Sequence, residues 1–231
     1  MMTRQLHRVL LITVSLIILV ALFGHVSVAQ TNNGRTAADF MYIGLGARPA
    51  GMGGAYTALA TGAMAGYWNP AGVAGMNNNE LLLSHFSWYQ DLSLEQGSGA
   101  FRLSDKVGLA VTVTYLNYGQ INDYDAAGNV VGNLSVYDWS GGLTLGYLVS
   151  DNVSVGITGK VIGQQLDQYS ATAVAADLGI QTHFERVSLA AMVANVGSKM
   201  KFNTVSEDLP TYGRLGIAVR PLDESLMLVA D

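Results

Sequence analysis

The amino-acid sequence predicts an all-β protein, an outer-membrane antiparallel β-barrel preceded by a short N-terminal plug segment, and three observations predict it. The chain of 231 residues is 50% hydrophobic and only 13% charged, with 27 glycines. A soluble domain carries about 25% charged residues and about 7% glycine, so much of this surface suits a solvent other than water. Beyond residue 30 no apolar run reaches the length of a transmembrane helix, and only helices and closed barrels satisfy their backbone groups in lipid. Segment after segment alternates apolar with small polar residues at period two, the signature of strands. A periplasmic β-sandwich would share the composition, but it would coat its second face with charge. With no cysteine, disulfides, thiolate metal sites and a cysteine nucleophile are excluded.

Residues 1–29 read as a signal peptide. Arg4 and Arg8 form a positive n-region, Val9 to Phe23 is an apolar h-region, and Ser27-Val28-Ala29 offers small residues for cleavage before Gln30. The run is short for a retained anchor. Its removal takes the net charge from −5 to −7 and leaves Lys106, Lys160, Lys199 and Lys201 as the lysines. That acidic body has no basic stripe, which speaks against nucleic acid as a partner.

The barrel is expected over residues 80–231. Leu109, Val111, Val113 and Tyr115 alternate with Gly108, Ala110, Thr112 and Thr114. From Ser135 to Val149, the set with Tyr137, Trp139, Leu143, Leu145 and Tyr147 alternates with Asp138, Ser140, Gly142, Thr144 and Gly146, aromatics lying toward both ends as membrane girdles do. Val153 to Gln164 and Thr172 to Phe184 repeat the alternation. Further strands fall at Glu80 to Trp88, Leu92 to Leu103, Val187 to Val196, Tyr212 to Arg220 and from Ser225. Brief polar turns, such as Ser104-Asp105-Lys106 and Ser150-Asp151-Asn152, alternate with longer loops at Gly119 to Asn133 and Gly197 to Leu209. Short periplasmic turns and long outer loops are the outer-membrane pattern. The total is about nine strands, an odd number, so the barrel is expected to be incomplete. Aliphatics such as Val111 and Leu143 are assigned to the lipid face, and Thr112, Asp138 and Lys160 to a lumenal face where substitution should cost less.

Residues 30–79 lack period two. The run Gly44 to Gly54 fails the dinucleotide fingerprint, because Pro49 stands where a third glycine is required, and it fails the phosphate loop for want of Gly-Lys-Ser/Thr. Tight turns and close backbone packing explain its glycines. Ala55 to Ala65 is expected to form a short helix ended near Gly66, with a turn at Asn69-Pro70.

The stretch Phe40 to Gly75, FMYIGLGARPAGMGGAYTALATGAMAGYWNPAGVAG, resembles the N-terminal segment of the PorV/PorQ family of outer-membrane proteins, itself similar to the FadL fatty-acid transporters. The likeness continues through TYLNYGQI at Thr114 to Ile121, GITGKVIGQQLDQYSATAVAADLGI at Gly156 to Ile180, and the stretches from Asn195 to Val219. It implies a barrel of fourteen strands in full, with Trp68, Asn69, Pro70, Ala71 and Gly72 as the plug motif. For function it implies type IX secretion, in which such barrels receive cargo with C-terminal signal domains and pass it to surface attachment machinery. The FadL-like alternative is a channel for hydrophobic small molecules, which requires an apolar lumenal pocket beside the plug.

Candidate chemistry is sparse, and no catalysis, cofactor or metal is expected. His85 and His183 stand far apart in separate strand patterns, without metal-ligand spacing. No Gly-x-Ser-x-Gly elbow occurs. Asn122, Asp123, Asp125 and Asn129 offer oxygens in one loop, but not at EF-hand spacing, so they read as turn residues. Lys160 and Asp177 form the one specific pair: a turn at Asp167-Gln168 sets residue 160 opposite 175, with 177 diagonal on the same face. It reads as a structural ion pair bracing the wall. Outer-membrane lipid is the partner the composition leads one to expect, and the resemblance implies secreted cargo and type IX components as further partners.

Overall fold

A computed structural model describes residues 36–88, 90–222 and 226–231. The expected signal peptide lies outside these residues. Strands make up 61% of the described residues and helix 10%, so the class is all-β. Among the described residues thirteen strands run in order: β1 (Glu80–Ser87), β2 (Ser93–Arg102), β3 (Val107–Asn117), β4 (Ile121–Tyr124), β5 (Val130–Leu134), β6 (Val136–Ser150), β7 (Val153–Leu166), β8 (Tyr169–His183), β9 (Val187–Gly197), β10 (Met200–Phe202), β11 (Val205–Glu207), β12 (Tyr212–Leu222) and β13 (Leu226–Ala230). Nine of them form one antiparallel sheet, ordered β1-β2-β3-β6-β7-β8-β9-β12-β13. These are the nine strands the alternation predicts. The sheet is a meander, open between β1 and β13.

The two long loops are not structureless. Each carries a two-stranded hairpin of its own, β4–β5 and β10–β11. Their strands are three to five residues long, too short to show a period. A register shift between Asp123 and Tyr124 disturbs the alternation further.

The alternation sorts side chains as expected. Val111, Val113, Leu143, Leu145, Val161, Val174 and Leu178 are exposed on one face, whereas Ala110, Thr112, Thr144, Thr158 and Asp177 are buried on the other. The buried face is concave and filled by residues 36–76. Ala63 N–H donates to Glu80 Oε2 on β1, and Thr57 N–H donates to Asp231 Oδ2 beyond β13, so one segment touches both edges of the sheet. Two apolar clusters fill the concavity. One joins Phe40, Met41 and Leu45 to Leu94, Leu116, Ile162, Met200 and Leu209 toward the long loops. The other joins Tyr56, Leu59, Trp68 and Val73 to Ala100, Ala110, Ala190 and Ala218.

The helix expected over Ala55 to Ala65 is absent. Short helical turns lie instead at Ala47–Gly51, Gly62–Met64, Ala65–Trp68 and Pro70–Val73, with a further one at Asp39–Tyr42. The physical reason is capture of the backbone from a distance. The amides of Tyr56 and Thr57 are taken by Asp231, Gln181 Nε2 donates to Ala58 O, and Gly62 turns the chain at φ +58°. Local hydrogen bonding that would have closed a helix is thereby replaced.

Candidate functional site

The plug motif sits on a row of glycines. Gly108, Gly146, Gly156 and Gly179 lie directly opposite one another across β3, β6, β7 and β8. None presents a side chain to the concave face, and residues 69–74 occupy the space, with backbone over Gly108, Gly146 and Gly156 and the Asn69 side chain over Gly179. A Cβ on Gly156 would stand 2.2 Å from the carbonyl carbon of Pro70, one on Gly108 would stand 1.9 Å from Val73 O, and one on Gly179 would stand 2.0 Å from Asn69 Oδ1. Real Cβ atoms do not approach so closely, so each position admits glycine alone unless the plug moves. Glycine in a strand weakens the strand and commonly marks such a close backbone approach.

Asn69 locks the motif in place. It is fully buried, and its side chain acts in three directions: Nδ2 donates to Thr57 O (3.3 Å) and Ile180 O (3.2 Å), while Oδ1 accepts from Ala71 N–H (3.1 Å). That last bond caps the turn Pro70–Val73, where Pro70 supplies a preset φ at the first position. Ala71 is fully buried, and a Cβ on Gly72 would stand 2.0 Å from Ala60 O. Trp68, 1% exposed, donates from Nε1 to Leu45 O and lies edge-on to Tyr56 and Tyr67. The Arg214 guanidinium stacks 4.8 Å from the Trp68 ring and 4.8 Å from that of Tyr212. Tyr67 Oη shares its one proton between Met41 O and Ile43 O, and burial pushes its phenol well above the ordinary value. It therefore remains a neutral donor and ties residues 41–43 to the motif.

Lys160 and Asp177 meet as the register requires. Lys160 pairs with Ala175, Asp177 lies two residues on, and Lys160 Nζ stands 2.8 Å from Asp177 Oδ2 with both side chains largely buried. What the sequence does not disclose is the third member. Asn195, at φ +60° and fully buried, accepts from Lys160 Nζ on Oδ1 (2.5 Å) and donates its backbone N–H to Asp177 Oδ1 (2.8 Å). Its Nδ2 reaches Pro210 O, and Thr211 Oγ1 donates to its carbonyl. The β8–β9 register shifts between Ala176 and Leu178, opposite this residue. The pair thus holds a β-bulge from which the chain leaves for β10.

One expectation is corrected. Thr112 faces inward, but its hydroxyl bonds Ser98 (3.0 Å), and a Cβ on Gly66 would stand 2.6 Å from it. Inner positions are therefore not the permissive ones, because the plug fills the space a lumen would leave.

The other candidates make local hydrogen bonds. His85 pairs with Glu95 (2.6 Å) and Ser87, and His183 with Ser188. Asp125 spends its carboxylate on its own turn, accepting from the amides of Ala127 and Asn129, which hold its pKa below the ordinary value. Among the described residues no group of three His, Asp or Glu is placed to hold a metal ion, and no helix is long and apolar enough to cross a membrane, which says nothing of crossing by strands.

Fold and site together define a class: an antiparallel sheet with an apolar outer face, curled around a plug that its own glycines seat. The model of the uncharacterised protein family UPF0164 matches residues 20–195, and the chain belongs to that family. The matched stretch holds the plug motif, the glycine row, Lys160, Asp177 and Asn195. No curated protein matches the chain.

Proposed function

We propose that this chain is a PorV-like outer-membrane wall of type IX protein secretion, exported through a cleaved signal peptide. In this role it receives cargo with C-terminal signal domains and passes it to surface attachment machinery, without catalysing a reaction itself. The resemblance over Phe40 to Gly75 supplies the assignment. The observation that carries it is the seated plug. Residues 69–74 rest against four strands, with their backbone over the glycines of β3, β6 and β7 and the Asn69 side chain over that of β8, and both apolar clusters fill the concave face. A wall filled in this way suits a platform that presents its outer loops better than a conduit through its middle. The outer face carries aliphatics in its middle and aromatics such as Tyr115, Trp139 and Tyr147 toward the strand ends, which suits lipid.

The decisive experiment is recovery of the full-length protein from its native membrane. Secreted proteins sharing a C-terminal domain should accompany it. Deletion of residues 122–131 should abolish surface display of that cargo while the barrel still assembles. Normal display combined with reduced uptake of a hydrophobic solute would establish the channel alternative instead.

A further inference from the structure

The hairpin β4–β5 differs from everything else at the long-loop end. It forms a two-stranded sheet separate from the main one, and among the described residues no third strand joins either edge. Tyr124, Val130 and Val131 are 57%, 57% and 59% exposed, and Ile121 is 36% exposed. An isolated hairpin is marginal in water, yet this one is braced. Asp125 ties its tip through the amides of Ala127 and Asn129, and Gln120 Nε2 bonds Asn133 Oδ1 at its base. Its neighbour behaves oppositely. The loop carrying β10–β11 buries Met200 and Leu209 in the core, and Asp208 O accepts from Ala37 N–H. One hairpin is packed against the core and the other is exposed.

We propose that β4–β5 is a docking edge for an extended, basic polypeptide strand, which pairs with it main chain to main chain. This rests on the secretion reading for the arrival of a polypeptide at this end of the molecule. A free strand edge offers a regular series of N–H and C=O groups that another strand satisfies in sequence, and the alternating side chains supply selectivity. Charge selects further. From residue 107 to 159 the chain has no Lys or Arg, and Asp91, Asp123 on β4, Asp125 and Asp167 all lie at this end; the two lysines there, Lys199 and Lys201, are in the other long loop, where Lys199 pairs with Asp208 beside Glu207. A strand that alternates apolar with cationic residues complements both the valines and the acids.

The probe is a capped ten-residue peptide of alternating valine and lysine, added to the full-length protein in lipid nanodiscs and followed by hydrogen exchange. Protection should rise over residues 119–134. The same peptide with every second amide N-methylated should bind at least tenfold more weakly, as should the unmodified peptide to the Val130→Lys/Val131→Lys variant. Protection confined to β1 or β13, or equal binding of the methylated peptide to the unaltered protein, overturns the proposal. Equal binding by a double variant with unchanged circular dichroism also overturns it. Should the secretion reading fail, cargo is missing from the membrane pull-down while peptide protection persists; should this proposal fail, protection is lost while cargo remains.

Discussion

Gly156 and Gly159 stand three residues apart on β7 and face opposite sides of the sheet. A Cβ on the first would meet Pro70 at 2.2 Å, whereas a Cβ on the second would meet nothing within 4 Å. The inner glycine exists because another backbone occupies its space, and the outer one because that face is open. The same residue type at the same spacing thus reports two unrelated constraints. More broadly, the inner face is selected for what it must not carry, while the outer face needs only to be apolar.

The comparison breaks most visibly at the buried ion pair. Asp177→Ala leaves Lys160 without its carboxylate and Asn195 N–H without an acceptor, and should cost about 3–5 kcal/mol. The double replacement Lys160→Met/Asp177→Leu should recover part of that loss. Urea titration of refolded protein, followed by tryptophan fluorescence, gives both values; a single variant as stable as the parent would show that the pair is idle.

Next in size is the glycine contrast itself. Gly156→Val should destabilise by about 3 kcal/mol, the upper range for overpacking, and expose residues 55–76 to protease. Gly159→Val should change neither quantity measurably. Should both variants unseat the plug, the two faces would not be independent.

A third test moves one residue along β3. Val111→Arg places a charge on the outer face, at about 2–4 kcal/mol if that face meets the middle of a bilayer. Thr112→Arg drives a long side chain into Gly66 and Ser98 and should be at least as harmful. Refolding yield in vesicles ranks the two, and a well-folded Thr112→Arg would mean that the plug yields readily.

Much of this was legible in the sequence and some was not. Nine strands follow from alternation because each strand has one face packed and one exposed, a difference that hydropathy records. Lys160 and Asp177 follow from a turn position and simple counting. Asn195 escapes because a bulge leaves no periodic trace, and its left-handed backbone shows only in space. The glycine row is present in the sequence yet reads as a small polar face, since the absence of a side chain carries no indication of what fills the gap. The misplaced helix has the same origin: Asp231 and Gln181 capture residues 56–58 from more than 120 positions away.

The smallest effect concerns the tip of β4–β5. Hydrogen bonds from Asn129 and Ala127 lower the Asp125 pKa, so the stabilisation is complete above the ordinary carboxylate value of 3.8 and is lost as pH falls through the lowered one. Hydrogen exchange at Ala127 and Asn129 should quicken at acid pH relative to neighbouring strand amides. Acceleration spread equally over β6 and β7 would show that the tip is not a separate unit.

The bonds that hold the plug also set the tempo of folding. Asn69 reaches Ile180 across 111 residues, and Thr57 reaches Asp231 across 174. Contacts so distant in sequence require large loops to close before they contribute, which slows folding. The plug, which leaves the ribosome before any of the strands, is therefore fastened last. Until β8 and the end of β13 are in place, its Trp68, Tyr56 and Leu59 have no wall to rest on, and the nascent chain presents them to whatever chaperone meets it.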